Sequence, residues 1–323
     1  MIASEKDFLT LLDQIFPRKG PDLLLGRGDD CAVLPSGHEM CLTTDTLHEN
    51  VHFRTVYFPP EAIGHKALAV NISDLAAMGC TPSGFLLSLV LPRDREDFDT
   101  QFYTRMLNAM AKLAQKHEMT LAGGNLCRGS HLGLTITAWG KPGKSILCRQ
   151  ARPGDLIFLI GEIGLARLGL EILENNPEKK HEYPEAVKSL LYPEALVFPG
   201  QVLAEFSDIR GLMDISDGLV SDLPRLVGPD FGANIKSDLK IHPEIQKFHA
   251  WDRQKTIPHV LFGGEDYALL GSISPQNRVR LLQKIPETAI IGRVTPEPGL
   301  FLDNAPLRLQ GYDHIQKETE HGQ

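Results

Sequence analysis

The spacing of apolar residues in the first half of the chain alternates between a helical and an extended period. Two segments carry apolar residues at roughly helical spacing, which predicts helices at residues 60–78 and 94–117. The first of these segments begins with a proline, which is common in the first turn of a helix. Short apolar runs predict strands at residues 40–44, 85–91, 119–122 and 132–139. This half is therefore expected to combine a sheet with helices.

The regular spacing stops at residues 141–155, which read KPGKSILCRQARPGD and are rich in proline, glycine and charge. Such a composition is typical of a connection between domains. We therefore predict an N-terminal domain of residues 1–148 and a C-terminal domain of residues 149–323. Further patterns predict strands at 156–160, 259–262 and 289–294, helices at 165–173 and 195–206, and a strand leading into a helix at 211–227. Because strands and helices interleave in both halves, the predicted class is α/β (α+β), with two layered domains.

Composition and charge narrow the classes of function. A chain of 323 residues with 42% apolar and 23% charged residues can form packed domains, so wholesale disorder is not expected. The net charge of −8 argues against a nucleic acid or an anionic membrane as a partner. The chain has no apolar run long enough to span a membrane, and its first residues lack the apolar core of a secretory signal.

The cysteines indicate a reducing compartment. Their number is odd and no two of them are closely spaced, which suits neither a disulfide framework nor a cysteine-based zinc site. The five are Cys31, Cys41, Cys80, Cys127 and Cys148. We therefore expect a soluble, cytoplasmic protein with free thiols.

Residues 48–52 read H-E-N-V-H and match the H-E-x-x-H signature of zinc peptidases. That signature functions on a helix, where two histidines four positions apart face one metal ion. The surrounding residues are rich in threonine, valine and aromatics and lie close to Pro59 and Pro60, which favours strand or loop. In an extended chain, His48 and His52 would stand roughly 13 Å apart. No convincing third ligand follows, so the zinc peptidase is a disfavoured interpretation.

Five short stretches place acidic residues beside glycine or at the ends of predicted strands. Each one alone is more typical of a helix cap or a turn. Together they offer the carboxylate, hydroxyl and amide oxygens that hard cations such as Mg²⁺ prefer. The stretches are Gly28-Asp29-Asp30, Thr43-Thr44-Asp45, Asn71-Ile-Ser-Asp74, Asp214-Ile-Ser-Asp217-Gly218 and Gly263-Gly-Glu265-Asp266.

A magnesium cluster in an acidic protein indicates a phosphate-bearing substrate, because protein-bound Mg²⁺ is commonly shared between carboxylates and phosphates. The usual nucleotide-binding signatures are missing from the sequence. It contains neither the G-x-x-x-x-G-K-[ST] loop nor the H-R-D and D-F-G motifs of protein kinases. An enzyme that uses a nucleotide must therefore have another architecture.

Six motifs, spread in order over most of the chain, resemble those of the thiamine-monophosphate kinases. This family belongs to the superfamily of aminoimidazole ribonucleotide synthetase and selenophosphate synthetase. The motifs are GDDCAVL (28–34), TTDTLHENVHF (43–53), GHKALAVNISDLAAMGCTP (64–82), LAGGNLCRG (121–129), MDISDGLVSDL (213–223) and FGGEDYALL (262–270).

The resemblance implies an enzyme that converts thiamine phosphate to thiamine diphosphate with ATP and several Mg²⁺ ions. The phosphoryl group would pass directly between the two substrates, without a protein nucleophile. The resemblance also implies a homodimer. Its N-terminal domain would contain a ferredoxin-like sheet that pairs with that of the second subunit, and its C-terminal domain would be an α/β sandwich of the aminoimidazole ribonucleotide synthetase type.

The resemblance also assigns residues. The implied metal ligands are Asp30, Thr43, Thr44, Asp45, Asp74, Asn125, Asp214 and Asp217. The implied contacts to ATP are Tyr103, Gly124, Asn125, Arg149 and Ser216. The implied contacts to thiamine phosphate are His52, Glu265 and Tyr312, whereas His48 would face solvent.

The sequence departs from the family pattern at three places. Asn125 stands where many members have aspartate, and Asn50 replaces a usual glycine. The loop CRQARPGD is one residue shorter than in the family, so either Arg149 or Arg128 could contact the transferred phosphate. A protein that binds ATP or thiamine diphosphate without catalysis therefore remains an alternative.

Overall fold

The computed structural model describes residues 24, 31–35, 37, 39–93, 95 and 97–307. Two of the implied site residues, Asp30 and Tyr312, lie outside the described residues. The elements of the first half are strands β1 (Ala32–Pro35), β2 (Glu39–His48), β3 (Thr81–Pro92), β4 (Thr120–Gly129) and β5 (Gly133–Lys141), with helices α1 (Pro60–Ala77) and α2 (Thr100–Lys116).

The first half forms a five-stranded sheet in the order β1-β2-β5-β3-β4. Its neighbouring strands are antiparallel, except that β3 and β4 run parallel. Burial along β2 alternates, because α1 packs on one face of the sheet and leaves the other face open. Cys41, Thr43 and Leu47 point to the covered face, whereas Thr44 and Thr46 are exposed on the open face.

Helix α1 is buried almost all round, as expected for a helix that is apolar on every side. It packs on the sheet and on α2, and it also contacts elements of the second half of the chain. Two glycines permit these close approaches. A Cβ atom on Gly64 would lie 1.9 Å from the carbonyl oxygen of Met106, and one on Gly200 would lie 2.1 Å from that of Ala76. Helix α1 is therefore held between the two halves.

The second half contains a larger sheet of seven strands. Its strands are β6 (Leu156–Ile160), β7 (Ile209–Asp214), β8 (Gly232–Ile235), β9 (Leu269–Ile273), β10 (Ala289–Thr295), β11 (Gly299–Leu302) and β12 (Ala305–Pro306). Their order is β12-β11-β8-β10-β6-β9-β7, and only β8 and β11 are parallel neighbours. All five residues of β6 and all five of β9 are buried, because apolar clusters cover both faces of the sheet.

The helices of the second half supply these covering layers. They are α3 (Leu165–Asn175), α4 (Pro184–Leu191), α5 (Val197–Ala204), α6 (Leu219–Val227), α7 (Pro243–Phe248), α8 (Arg253–Leu261) and α9 (Arg278–Lys284). Two short 3₁₀ turns, Pro177–Glu182 and Pro275–Asn277, complete the described elements. None of the helices in the described part of the chain is long and apolar enough to cross a membrane.

The predicted class, α/β with two layered domains, is confirmed. The first sheet ends at Lys141 and the second begins at Leu156, so the predicted boundary between residues 148 and 149 lies in the segment that connects them. Its position there remains a prediction.

Several predicted elements were wrong in type or extent. The apolar run 259–262 is not a strand, because residues up to Leu261 continue a helix that begins after Asp252, whose side chain accepts the N–H of Gln254 at 2.9 Å. The second predicted helix begins at Thr100 rather than at residue 94, because Asp99 caps it. The strands predicted at 40–44 and 119–122 extend to His48 and Gly129, since ladder pairing with β5 and β3 continues through polar residues.

A buried ion pair holds the end of β2. Glu49 is 3% exposed, and its carboxylate accepts hydrogen bonds from Arg95 Nη1 at 2.8 Å and from the N–H of Leu132 at 3.0 Å. Arg95 also binds Asp97, whose side chain is 54% exposed. The two acids therefore share one arginine in very different surroundings.

Replacing Glu49 with alanine is expected to lower the free energy of unfolding by about 2 kcal/mol or more, because the buried N–H of Leu132 would lose its acceptor. Asp97→Ala is the matched control, and its cost should stay below about 1 kcal/mol because its pair with the same arginine is exposed to solvent. Chemical denaturation of both variants measures the difference. Equal losses would show that burial does not distinguish the two pairs.

Candidate active site

The residues Thr43 and Asp45 of β2 and Asp74 of α1 meet on the covered face of the first sheet. Thr43 Oγ1 donates a hydrogen bond to Asp74 Oδ2 at 2.5 Å. The carboxyl groups of Asp45 and Asp74 are also hydrogen-bonded to each other. Burial raises the pKa of Asp45, the hydrogen bond with Asp74 opposes that rise, and the negative charge of Asp217 adds to it.

The second half contributes Asp214, the last residue of β7. Its side chain is 3% exposed and accepts a hydrogen bond from Ser73 Oγ of α1 at 2.6 Å. Asp217 lies in the turn that follows, before α6, where it pairs with Arg225 at 2.5 Å. Helix α1 thus binds acidic residues of both halves through adjacent side chains, Ser73 and Asp74.

The segment Gly263–Tyr267 lies along the turn that contains Asp214 and Asp217. The N–H of Glu265 donates to the carbonyl oxygen of Ser216 at 2.7 Å, and that of Tyr267 donates to Ile215 at 2.8 Å. Glu265 has a φ of 63°, a backbone conformation that residues other than glycine seldom adopt. A Cβ atom on Gly264 would lie 2.7 Å from the Ser216 oxygen, so glycine is needed for this approach.

The phenol of Tyr267 reports the convergence of these groups. Burial raises the pKa of Tyr267 well above its ordinary value, and surrounding negative charge raises it further. The charge comes from Glu265, Asp45, Asp214 and Asp74. Four carboxylates from separate segments and from both halves therefore lie around one buried side chain.

Asp222 of α6 organises the turn before it. Its side chain is fully buried and accepts the N–H groups of Ser216 at 3.2 Å and Asp217 at 3.1 Å. Burial raises the pKa of Asp222 to about 7, although the positive charges of Arg225 and Arg149 oppose the rise. The positive charge of Arg149 therefore lies within electrostatic range of Asp222, and its role in binding ATP remains a prediction.

Other residues implied by the resemblance lie apart from this cluster. The side chain of Thr44 is on the open face of the sheet and donates to the carbonyl oxygen of Ile136 at 3.0 Å. Gly124 and Asn125 are exposed on the edge strand β4. Because Gly124 belongs to the same cross-strand row as Asp45, three strands away, the two residues stand about 14 Å apart. Asn125 and Asp45 therefore cannot bind one metal ion within a single subunit.

Two implied contacts lie near the end of β2. Tyr103 of α2 packs against Phe98 and Phe102, and burial raises its pKa while the charge of Arg95 opposes the rise. His52 is half-buried, and its Nδ1 accepts the N–H of His48 at 3.1 Å.

The H-E-N-V-H stretch does not form a zinc site of the peptidase type. His48 ends a strand and the next residues form a turn, so the helix that the signature requires is absent from these described residues. Glu49 is committed to its buried pair with Arg95. Asn50 adopts a φ of 67°, which asparagine tolerates as a substitute for glycine.

The expected separation of the two histidines was wrong. The turn brings the N–H of His52 to 2.9 Å from the carbonyl oxygen of His48, so the chain is not extended there. His48 does not simply face solvent either. It is half-buried, and its ring centroid lies 5.7 Å from that of His131.

The sequence analysis missed Lys66, Ser73, Asp222 and Tyr267. Lys66 is 1% exposed, and its Nζ lies 2.9 Å from Glu265 Oε1. A single cation within the apolar run of α1 was the available signal, since a buried lysine requires a specific partner. Ser73 and Asp222 carried no such signal, because their roles depend on contacts across long sequence separations.

Among the described residues, no three histidine, cysteine, aspartate or glutamate side chains are arranged to hold one metal ion. The donors that do converge are carboxylate and hydroxyl oxygens, which are the groups that Mg²⁺ prefers. Mg²⁺ is usually bound through one or two carboxylates together with water and substrate phosphates, rather than by a complete protein cage. The donor set of Thr43, Asp45 and Asp74 therefore fits Mg²⁺ bound together with phosphate.

Both halves match family models. Residues 28–141 match the model of AIR synthase related protein, N-terminal domain, and residues 152–303 match AIR synthase related protein, C-terminal domain. These matches, over most of the chain, place the protein in the AIR synthase related class.

Relatives within that class are more specific. Thiamine-monophosphate kinase of Bacillus subtilis (strain 168) is 35% identical over 281 residues, which cover 83% of this chain and 84% of the relative. The enzyme of Escherichia coli (strain K12) is 34% identical over 312 residues, covering 91% and 93%. A solved structure of AaThiL complexed with AMPPCP and TMP is 29% identical with a TM-score of 0.83, covering 96% of this chain and 97% of that chain. The chain belongs to the thiamine-monophosphate kinase family.

Asp266 fixes the segment that contains Glu265. Its carboxylate accepts the N–H groups of Gly164 at 2.6 Å and Ala166 at 3.1 Å, at the start of α3. Burial raises the pKa of Asp266 from 3.8 to about 7, although these hydrogen bonds oppose the rise. The folded protein therefore binds this proton more tightly than the unfolded chain does.

A pH dependence of stability follows from this shift. Because the native state retains the proton of Asp266 between pH 3.8 and about 7, stability should decrease as pH rises through that window. In Asp266→Asn this contribution is removed. The variant loses cap hydrogen bonds, so it should be less stable than the wild type at pH 4, and this deficit should narrow towards pH 8. Denaturation curves at several pH values test this, and a constant difference would contradict it.

Proposed function

We infer that this protein uses ATP to phosphorylate thiamine monophosphate, giving thiamine diphosphate in the pathway of thiamine biosynthesis. Membership of the thiamine-monophosphate kinase family supports this activity. So does the structural similarity to AaThiL, which is complexed with AMPPCP and TMP. The observation that carries the inference is that helix α1 joins acids of both halves, with Asp74 hydrogen-bonded to Thr43 of the first sheet and Ser73 hydrogen-bonded to Asp214 of the second.

An acidic cleft suits this reaction only with cations. Both substrates present phosphate anions, and two unit charges 4 Å apart repel by about 4 kcal/mol at an effective dielectric constant of about 20. We propose that several Mg²⁺ ions bind here, at Thr43, Asp45, Asp74, Asp214 and Asp217, with Asp30 as a further ligand implied by the family. The family also implies Thr44 and Asn125, but their positions on the open face and on β4 keep them away from these groups within one subunit. Bound Mg²⁺ would offset the repulsion and stabilise the charge that develops on the phosphoryl oxygens.

The protein residues act by positioning the substrates and the acids. Ser73 holds Asp214, and Asp222 holds the backbone of Ser216 and Asp217. No protein nucleophile is needed, because in-line transfer requires chiefly orientation and charge stabilisation. The acceptor phosphate is already ionised near neutral pH, so it also needs little help from a general base.

The substrate contacts are proposed from the family resemblance. For ATP they are Tyr103, Gly124, Asn125, Arg149 and Ser216, and for thiamine phosphate they are His52, Glu265 and Tyr312. The placement of Arg149 near Asp222 supports Arg149 over Arg128, which is exposed on β4.

Replacing Asp45 or Asp214 with asparagine should reduce the formation of thiamine diphosphate from ATP and thiamine monophosphate at least about a hundredfold, because each change removes a charge that holds the metal. The measurement is a coupled assay at several Mg²⁺ concentrations, with circular dichroism to check the fold. Asp238→Asn serves as the control, since that side chain is 98% exposed in its contact with Arg253. If both site variants keep near-normal rates at low Mg²⁺, the cluster is only structural.

We propose that the protein is a homodimer that pairs through the first sheet. Within the described residues, strand β4 is hydrogen-bonded to a neighbour, β3, on one side only, and nearly all residues of β4 are exposed. Leu121 and Leu126 on this strand are 53% and 63% exposed, and exposed apolar residues on a free sheet edge favour pairing with another chain. Gly124 and Asn125 lie on the same strand, so a second subunit would bring its own groups beside these proposed contacts to ATP.

Sedimentation analysis tests the dimer. The wild type should sediment as a dimer at micromolar concentration, and Leu126→Asp should shift it towards monomer because a charge would enter the paired edge. Leu107→Asp is the control, since Leu107 is 40% exposed on α2, away from that edge. A monomeric wild type, or equal behaviour of the two variants, would count against pairing through β4.

We also propose a cytoplasmic location. Cys41 and Cys80 are buried and form no disulfide, which suits a reducing compartment. Recovery of the native protein with its cysteines in disulfides from an oxidising compartment would contradict this location.

A further inference from the structure

Lys66 is a lysine side chain placed inside the protein at the junction of the two domains. It lies on α1 and is 1% exposed. Removing an ammonium group from water costs several kcal/mol unless other groups replace its hydration. Lys66 therefore depends on the groups that surround it.

Those groups come from three different segments. The Nζ atom lies 2.9 Å from Glu265 Oε1 and donates a hydrogen bond to the carbonyl oxygen of Leu190 at 3.2 Å. It also lies 5.4 Å from the centre of the Phe58 ring. The ammonium thus has a charged acceptor, a neutral acceptor and an aromatic face, which together compensate for its burial.

Glu265 is different from its partner, because its side chain is 32% exposed and its backbone is hydrogen-bonded to Ser216, in the turn that carries Asp217. Within the described part of the chain, Lys66 is the only residue that makes a hydrogen bond or ion pair with the Glu265 carboxylate. One oxygen is therefore fixed by Lys66, and the other can accept a hydrogen bond from a bound molecule. The backbone of Glu265, with its φ of 63°, fixes the direction in which the side chain leaves the main chain.

Stability alone is a weak reason for this arrangement. Exchanging a buried ion pair for apolar residues of similar size is often neutral or stabilising. A pair that joins the two domains could serve only to hold them together, but Ser73 and Asp214 already form such a link 2.6 Å long from the same helix. What Lys66 adds is a defined orientation of a carboxylate at the edge of the site.

We propose that Lys66 is a positioning residue that orients Glu265 towards the organic part of the phosphate acceptor. This inference rests on the proposed kinase function. The thiamine portion of that substrate carries a positively charged ring and an amino group, and an oriented carboxylate attracts the first and accepts a hydrogen bond from the second. Lys66 itself touches neither substrate, because it is buried beneath Glu265.

The test is a double-mutant cycle in the full-length enzyme, with Lys66→Met, Glu265→Gln and the double variant. Lys66→Met should raise the KM for thiamine monophosphate about tenfold, the scale of one charge-assisted hydrogen bond, and change the KM for ATP less than about twofold. The double variant should be no worse than Glu265→Gln alone, because the role of Lys66 acts through Glu265.

The matched control is Ile63→Val, which loosens the packing of the same helix at a fully buried position without touching Glu265. Its KM for thiamine monophosphate should stay within about twofold of the wild type, since a small apolar truncation moves no charge. If Ile63→Val raises this KM as much as Lys66→Met does, Lys66 is only a packing residue. Additive effects in the double variant, or an unchanged KM in an active Lys66→Met enzyme, would also overturn the proposal.

The experiments also distinguish an error in the proposed kinase activity from an error in the proposed role of Lys66. If the wild-type enzyme forms no thiamine diphosphate and calorimetry detects no binding of thiamine monophosphate, the proposed function is wrong and the role of Lys66 falls with it. If the wild type is active and only the expected change in Lys66→Met is missing, the kinase function stands and the role of Lys66 alone is wrong.

Discussion

Repulsion among carboxylates is the constraint to which the rest of this structure is adapted. Asp45, Asp74, Asp214 and Glu265 all act on one buried phenol, so they lie within electrostatic range of one another. Three of these side chains receive a hydrogen bond or an ion pair from a neighbouring residue, in each case within 2.9 Å. Such contacts hold each acid in place although the others repel it. The summed negative charge of this cluster favours ligands that carry positive charge.

Helix α1 meets this constraint from a single rigid element. Two of its residues, Lys66 and Ser73, contact the C-terminal domain. A third, Asp74, contacts the N-terminal sheet. Because the helix is packed on all sides, its polar groups cannot turn away from their partners without disturbing both domains. The geometry of the site is therefore set by helix packing as much as by the loops that carry most of the acids.

The sequence predicts part of this site well. Asp45 and Asp214 were found because β-rich neighbours and glycine mark strands and their ends, although Asp45 proved to lie within β2 and Asp214 at the last position of β7. The side-chain direction of Thr44 could not be known, because the extent of β2 decides which residues face α1. The short apolar run that ends α8 fits a strand or a buried helix equally well, so its assignment depended on the cap that precedes it.

Contacts between residues that are far apart in the sequence were the part of the site that the sequence predicted least. Nothing near Lys66 in the sequence indicates Glu265, almost 200 positions away, as its partner. The same applies to Ser73 and Asp214. Short motifs reveal which chemical groups are available, whereas their pairing depends on how the two domains meet.

The apolar cores of the two domains also interpenetrate. Leu190, Leu191 and Tyr267 of the second domain belong to the core around α1, and Ala77 of α1 belongs to a core of the second domain. Neither domain can therefore bury its apolar surface fully without the other. The two parts should therefore fold as one cooperative unit. Cutting the connection between them would leave two fragments with partly exposed apolar cores, which are prone to aggregate. Matching two separate domain models therefore does not make the two halves separate folding units.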